Sequence, residues 1–322
     1  MTPNLPAQGP DRRRRPSHRA LATVLLVLIT AVWGSTFFMI HDLMQTLPAA
    51  DFLAVRFAIA AVLMLVIFWR QVRALTRREW GIGLGLGVLY GVAQVLQTMG
   101  LAHTDASRSG FITGMYVVLT PVFAARLLRD RVSPATWGAV GLATLGLGAL
   151  SLQGVGPGFG YGETLTLVGA AIYALHIVGL GRYSTAASAT GLATVQIIMV
   201  ALLCTIAALP DGISMPRSGS GWLALLYMAS IAGAGAMWAQ TWAQAHLTAA
   251  RAAIVMTLEP VFAAFFAVLL GGESVTVRML LGGGLILAAM YLVELTGRRP
   301  DEPGHERTAL EEPPAEALHH EG

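Results

Sequence analysis

The sequence predicts an all-α polytopic membrane protein whose ten transmembrane helices form two inverted five-helix repeats. Three observations support this fold class: the composition, the recurrence of long apolar runs, and an internal duplication. The 322-residue chain is 55% hydrophobic and only 12% charged, whereas a soluble domain carries about 25% charged residues. The apolar runs are continuous and do not alternate with polar residues, which argues against a membrane β-barrel.

Ten apolar runs lie along the chain, each near the roughly 20 residues that cross about 30 Å of hydrocarbon. Segments rich in Pro, Gly or Arg separate them and predict the turns. The predicted spans are residues 20–41, 50–70, 79–101, 106–127, 134–153, 161–181, 188–209, 220–245, 249–270 and 276–296.

Two polar tails flank these spans. Residues 1–19 are basic and resemble the start of a signal peptide. The apolar run that follows is too long for one, and many spans come after it, so we expect a cytoplasmic tail. Residues 297–322 are acidic and rich in proline, which predicts a disordered tail.

The distribution of arginine predicts the orientation. The chain has no lysine, and with the N-terminus in the cytoplasm most of its 21 basic residues fall on the inner side. The outer side then keeps Arg108, Arg217 and Arg278. Because positive residues accumulate in cytoplasmic loops, both termini are expected in the cytoplasm. Topology thus explains the basic residues, and we expect no nucleic-acid partner.

Two short motifs occur twice, in the same order. AHTDASR at 102–108 matches AHLTAAR at 245–251, and PVFAA at 121–125 recurs at 260–264. The second spans of the two halves align best with Val55-Arg56 placed on Val195-Gln196. Chance within a small apolar alphabet could give one pentamer, but two ordered matches indicate a duplication.

The duplication predicts one repeat at 20–153 and a second at 161–296. Each repeat has five spans, an odd number, so the second copy enters the membrane from the opposite face. Inverted repeats are typical of secondary transporters, whose substrate site lies near the membrane midplane between the repeats.

Four segments resemble the EamA-type transporters of the drug/metabolite transporter superfamily. They are AVWGSTFF (31–38), LAVRFAIAAVLML (53–65), SGFITGMYVVLTPVFAA (109–125) and AARAAIVMTLEPVFAAFFAVLLGGES (249–274). The resemblance covers residues 20–296 and implies a basket-like ten-helix bundle that moves small solutes, often by export. The chain departs from the pattern at LLRDRVS (127–133), where such repeats usually have Gly-Glu. The second repeat keeps that pair at Gly272-Glu273.

Glu259 and Pro260 lie inside the ninth run, at the place that Thr120 and Pro121 occupy in the fourth. Proline removes a backbone hydrogen bond, so Pro121 and Pro260 predict helix breaks at corresponding places, as occur near transporter binding sites. A carboxylate at the bilayer centre costs about 2.5–3.5 kcal/mol, so Glu259 should face the bundle interior or water. It could couple transport to protons or bind a substrate amine. Alternatively, it caps the broken backbone or pairs with an arginine.

Arg56 and His176 are the other ionisable candidates within spans. Arg56 could reach the outer interface, or it could balance a substrate carboxylate or Glu259. Its repeat counterpart, Gln196, is uncharged. His176 aligns with Thr36, and a histidine within a span favours a functional role, although a neutral imidazole bonded to a nearby hydroxyl is the alternative.

Aromatic and amide side chains complete the candidate site. When the two repeats are aligned, Tyr173 pairs with Trp33, and Gln97 pairs with Gln240. The same groups could simply join helices, at about 0.6–2 kcal/mol each. The predicted substrate-binding residues are Trp33, Thr36, Arg56, Tyr90, Gln94, Gln97, Tyr116, Tyr173, His176, Trp238 and Gln240.

These features predict a secondary transporter of small organic solutes in a prokaryotic plasma membrane. It would work by alternating access, with export as the expected direction and protons as a candidate coupling ion. An importer of the same fold is the alternative. A membrane enzyme would need a cluster of histidines and carboxylates, and a channel would need charge rings; the sequence has neither. No P-loop, cofactor or metal site is expected.

Overall fold

The computed structural model describes residues 18–44, 47–101, 103, 109, 112–129, 131–151, 160–271 and 274–296. Within these ranges the chain is almost wholly helical and contains no strand. Residues 1–17 and 297–322, Arg108 and the Gly272-Glu273 pair lie outside the described residues, as does the AHTDASR motif except for His103.

The helices follow one another through short connections. They are α1 (His18–Met44), α2 (Ala49–Arg73), α3 (Arg77–Leu101), α4 (Tyr116–Phe123), α5 (Pro134–Ser151), α6 (Tyr161–Tyr183), α7 (Ala189–Ala208), α8a (Gly219–Ala229), α8b (Ala236–Gln244), α9a (Ala249–Met256), α9b (Glu259–Gly271) and α10 (Val277–Thr296). A π-helical turn at Ala124–Leu128 extends α4, and a π-helical segment at Ser230–Gly235 joins α8a to α8b.

Length and hydropathy fit a membrane environment. Seven helical segments are long and apolar enough to cross a bilayer, and two shorter apolar helices, Ile112–Leu128 and Val277–Val293, accompany them. The remaining helix, α5, has 18 residues. Large apolar side chains cover the outside of the bundle; Val66 is 74% exposed and Leu223 is 72% exposed, as lipid-facing residues would be. The predicted ten-span all-α membrane fold is confirmed.

Helix packing has the symmetry of an inverted repeat. Helix α2 packs most extensively against α7, and α5 against α10, so each of these helices meets its own counterpart from the other half. Helix α3 packs against α6 and α7, while the two parts of α8 pack against α1 and α2. Exchanging the halves therefore leaves the packing pattern unchanged, as a two-fold axis in the membrane plane requires. The prediction of two inverted five-helix repeats is confirmed.

Glycines allow close helix crossings between α3 and α7 and between α5 and α10. A Cβ atom built on Gly87 of α3 would lie 2.9 Å from the backbone oxygen of Gln196 in α7. One built on Gly146 of α5 would lie 2.6 Å from the backbone oxygen of Gly282 in α10. Small residues let helix backbones touch in membranes, where packing and not the hydrophobic effect drives association.

Two hydrophobic clusters hold the bundle together. One is built on α2, α7 and α8, and the other on α1, α4, α5, α6, α8b, α9a and α10. Trp238 of α8b packs against both clusters. The predicted site residues of α2, α3 and α6 lie beside the boundary between them.

Candidate functional site

Tyr90 of α3 is the centre of an aromatic group inside the bundle. Its ring centroid lies 5.1 Å from that of His176, 5.6 Å from that of Tyr173 and 6.4 Å from that of Phe57. Edge-to-face contacts at such distances are favourable for aromatic rings. Three predicted site residues from α3 and α6 are therefore in direct contact.

The Tyr173 hydroxyl joins this aromatic group to two amides of α3. It lies 3.0 Å from Oε1 of Gln97 and is also hydrogen-bonded to Oε1 of Gln94. Gln97 in turn donates from Nε2 to Oγ1 of Thr113 at 3.1 Å. A hydroxyl has only one hydrogen to donate, so the two amide oxygens compete for it, and the network retains acceptor capacity.

His176 is 1% exposed and bonds to the repeat counterpart of Arg56. Its Nε2 lies 2.8 Å from Oε1 of Gln196, while Nε2 of Gln196 donates to the backbone oxygen of Leu192 at 3.1 Å. Gln196 thus offers an acceptor to the imidazole, which places the histidine proton on Nε2. Nδ1 of His176 is buried and has no partner among the described residues.

Arg56 and Trp33 both bind the π-helical segment Ser230–Gly235. Nε of Arg56 donates to the backbone oxygen of Met228 at 3.2 Å, and Nη2 donates to that of Ala232 at 3.4 Å. Nε1 of Trp33 donates to the same Ala232 oxygen at 2.9 Å. A π-helical turn shifts the backbone hydrogen-bond register by one residue, and these two side chains bind carbonyls at that shift.

The alternative that Arg56 reaches the outer interface is wrong. The side chain is 6% exposed, and its guanidinium carbon lies 5.1 Å from the Phe57 ring centroid and 5.8 Å from that of Phe52. Backbone carbonyls and aromatic faces replace the water that this charge would lose on burial.

Glu259 begins α9b, is partly exposed and lies near three tyrosines. Its carboxyl group interacts electrostatically with the hydroxyls of Tyr90, Tyr116 and Tyr173. Arg56 interacts with two of the same hydroxyls, those of Tyr90 and Tyr173. A carboxyl and a guanidinium from different repeats therefore act electrostatically on the same two tyrosine hydroxyls.

The two prolines differ in their effect on the chain. Helix α9 is interrupted just before Pro260, at Thr257 and Leu258, whose N–H groups bond to carbonyls three residues back. Helix α4 runs through Pro121 without a break there, contrary to the prediction. Its irregular turns lie on either side, at Met115 and at the π-helical turn Ala124–Leu128.

The remaining predicted residues form hydrogen bonds to partners outside this aromatic group. Trp238 donates from Nε1 to Oγ1 of Thr190 in α7 at 3.1 Å. Gln240 donates to Oε1 of Gln244 at 3.2 Å, and its own Oε1 is buried without a partner among the described residues. Thr36 bonds within its own helix, to the Trp33 oxygen at 2.8 Å.

Gln196 is not among the site residues predicted from the sequence. It is wholly buried and is the direct partner of His176. A signal was present, because Gln196 is an amide inside an apolar span and aligns with Arg56. No feature of the sequence predicted the π-helical segment that Arg56 binds.

No metal centre is formed in the part of the chain that the structure describes, since no three His, Cys, Asp or Glu side chains come together there.

Comparisons with known proteins agree on family and fold. The model of the EamA-like transporter family matches residues 21–152 and again 160–295. A protein of Archaeoglobus fulgidus named "Uncharacterized transporter" is 30% identical over 279 residues, which cover 86% of this chain and 87% of that protein. The "Uncharacterized transporter YcxC" of Bacillus subtilis is 28% identical over 170 residues, about half of each chain. A solved structure titled "Crystal structure of protein" superposes with a TM-score of 0.74 at 18% identity, covering 88% of this chain and 99% of that one; this likeness concerns the fold alone.

Proposed function

We propose that this chain, which belongs to the EamA-like transporter family of the drug/metabolite transporter superfamily, is a secondary transporter that exports small organic solutes by alternating access. Membrane transport itself follows from the family. The solute class, the direction and the coupling are the proposal.

One observation carries the proposal: Tyr90, Tyr173 and His176 are in ring contact inside the bundle, and a guanidinium and a carboxyl from opposite repeats lie within electrostatic range of the two tyrosine hydroxyls. Ionisable side chains inside membrane helices are costly and usually mark substrate or ion pathways. Transporters with inverted repeats bind their substrates near the midplane between the repeats. Arg56 and Glu259 offer opposite charges to a solute that carries a carboxylate, an amine or both.

The nearby hydroxyls and amides would give this site its selectivity. The Tyr173 hydroxyl meets two amide oxygens, and Nδ1 of His176 has no partner among the described residues. A buried polar atom without a partner costs about 1–3 kcal/mol. A solute that bonds to such an atom would recover part of that free energy. Amino acids, polar metabolites and amphipathic drugs all fit this description.

Glu259 is the proposed coupling residue. Its carboxyl group would carry the proton, and the interrupted backbone beside it gives the helix a point of movement. Exchange of a proton for the solute would then drive export.

Replacing Glu259 by Gln tests this role. We expect Glu259→Gln to abolish the response of transport to an imposed pH gradient while the folded yield stays near wild type. Glu79→Gln is a matched control, because Glu79 is an exposed carboxylate at the start of α3 that bonds to Thr76. An unchanged response in Glu259→Gln would contradict proton coupling through this residue.

The proposed location is the plasma membrane of a prokaryote, with both termini in the cytoplasm. Ala186, between α6 and α7, and Met215, between α7 and α8a, are both exposed. In a Cys204→Ser background, a membrane-impermeant maleimide added to intact cells should label Met215→Cys and not Ala186→Cys. The opposite result would reverse the proposed orientation.

A further inference from the structure

A cavity of about 170 Å³ lies between α2, α3 and α7. Its walls are mostly small or apolar side chains: Ala50, Leu53, Val95, Met99, Cys204 and Ala207. In the proposed orientation it lies at the outer end of these helices, with the exposed His103 at its rim. Leu53 in its wall lies three residues before Arg56 on α2, and residues at this spacing share one face of a helix, so the cavity adjoins the candidate site.

The inverted repeat places an equivalent location at the inner face. The motif QTMGLAH at 97–103 matches QTWAQAH at 240–246, and α2 and α7 exchange roles. By this alignment Trp238 replaces Val95, and Trp242 replaces Met99. The inner location therefore has two indole rings where the outer cavity has two smaller aliphatic side chains.

These tryptophans close the inner location. Trp238 packs against both hydrophobic clusters and bonds to Thr190, the counterpart of Ala50. The Trp242 ring lies 4.3 Å from the His246 ring, and that ring stacks at 5.5 Å on His18. The corresponding outer residues Val95 and Ala50 have no polar group with which to form such a bond.

We propose that the outer cavity is a subsite for a ring-sized apolar group of the solute, and that Trp238 and Trp242 fill its inner equivalent in the conformation shown. The inference rests on the proposed transport function. An apolar protein cavity of about 150 Å³ accepts one benzene molecule, and the equivalent inner space is filled by aromatic rings of the chain itself. With Arg56 beside the cavity, the matching solute is a carboxylate that carries one ring-sized apolar group.

Cys204 is the only cysteine of the chain and reports on the cavity directly. In the purified full chain, methylmercury should modify Cys204, and mass spectrometry measures the rate. Val95→Trp transfers the inner indole to the outer cavity and should slow the reaction about tenfold or more, because a filled cavity leaves no path to the thiol. Val62→Trp is the control; Val62 is 64% exposed on the lipid-facing side of α2, and the rate should not change.

The inner location gives the reciprocal test. Met64 is the counterpart of Cys204 and is 1% exposed. In a Cys204→Ser background, Met64→Cys should resist methylmercury, and adding Trp238→Val should make it reactive. Where Val95→Trp reduces the folded yield, Leu53→Phe fills the same cavity from α2 by a smaller change.

Ligand protection tests the solute class. Phenylpropionate should slow the modification of Cys204 in a saturable way, whereas propionate, which lacks the ring, should not. Equal rates with and without phenylpropionate, or in wild type and both cavity-filling variants, would overturn the proposal. Labelling of Cys204 does not require transport, so the two proposals can fail separately. If Cys204 is labelled and protected as expected but the chain moves no solute in a transport assay, the transport function is refuted and the cavity proposal is not.

Discussion

The backbone oxygen of Ala232 accepts hydrogen bonds from both Trp33 and Arg56, and this sharing predicts how the two side chains depend on each other. Trp33→Phe removes one N–H donor at 2.9 Å and leaves the arginine bond in place. A hydrogen bond of this kind contributes about 0.5–1.5 kcal/mol net, so we expect a loss of about 1 kcal/mol in the free energy of unfolding.

Arg56→Met removes two longer bonds, at 3.2 and 3.4 Å, and also removes a buried charge. Loss of the bonds destabilises the fold, while removal of the charge takes away its desolvation cost. These effects oppose each other, so the single variant is a poor test. The double variant is sharper, because it deprives the Ala232 oxygen of both side-chain donors. We expect its loss to exceed the sum of the single losses by about 1 kcal/mol, within the range measured for residues that share a partner.

Reversible unfolding of the purified chain in mixed detergent micelles measures these free energies. Trp137→Phe is the matched control, since Trp137 lies on α5 and is 41% exposed, and its loss should be near zero. Additive losses in the double variant would refute the shared role of Trp33 and Arg56 at the π-helical segment.

Two further predictions follow from the packing and the site. A Cβ atom on Gly34 would lie 2.8 Å from a backbone nitrogen of α9b, whereas one on Gly85 would meet nothing within 4 Å. Gly34→Ala should therefore cost about 1–3 kcal/mol of stability, and equal melting temperatures for it and Gly85→Ala would contradict this crossing. Tyr173→Phe leaves Gln94 and Gln97 without their shared donor and should raise the KM for the solute while the protein still folds; an unchanged KM would exclude the hydroxyl from binding.

Much of the fold was predictable because its physical causes are visible along the chain. Hydrocarbon requires long apolar helices, so spans can be read from composition. The duplication left matching motifs, and an odd number of spans per repeat dictates the inversion. Alignment of the repeats also pairs His176 with Thr36 and Gln196 with Arg56. It therefore draws attention to His176 and Gln196, which are hydrogen-bonded to each other in the structure.

The details of the site were less predictable, because they depend on backbone irregularities. The position of Arg56 near the start of a span suggested an interfacial arginine. The structure instead gives it carbonyl partners at a π-helical segment of α8, and a shift in helix register has no simple sequence signal. Pro121 and Pro260 look alike in the sequence, yet only α9 is interrupted beside its proline. The surroundings of each proline decide whether the helix continues.

On the proposed function, the chain moves a small solute through the site that Arg56 and Glu259 flank. The most direct measurement uses purified protein in proteoliposomes that are loaded with a metabolite extract, given a pH gradient, and profiled for what appears outside. The wild type should release one chemical class of compound, and both Glu259→Gln proteoliposomes and protein-free liposomes should retain it. Release by Glu259→Gln equal to that by the wild type, or no difference between wild-type proteoliposomes and protein-free liposomes, would contradict the account.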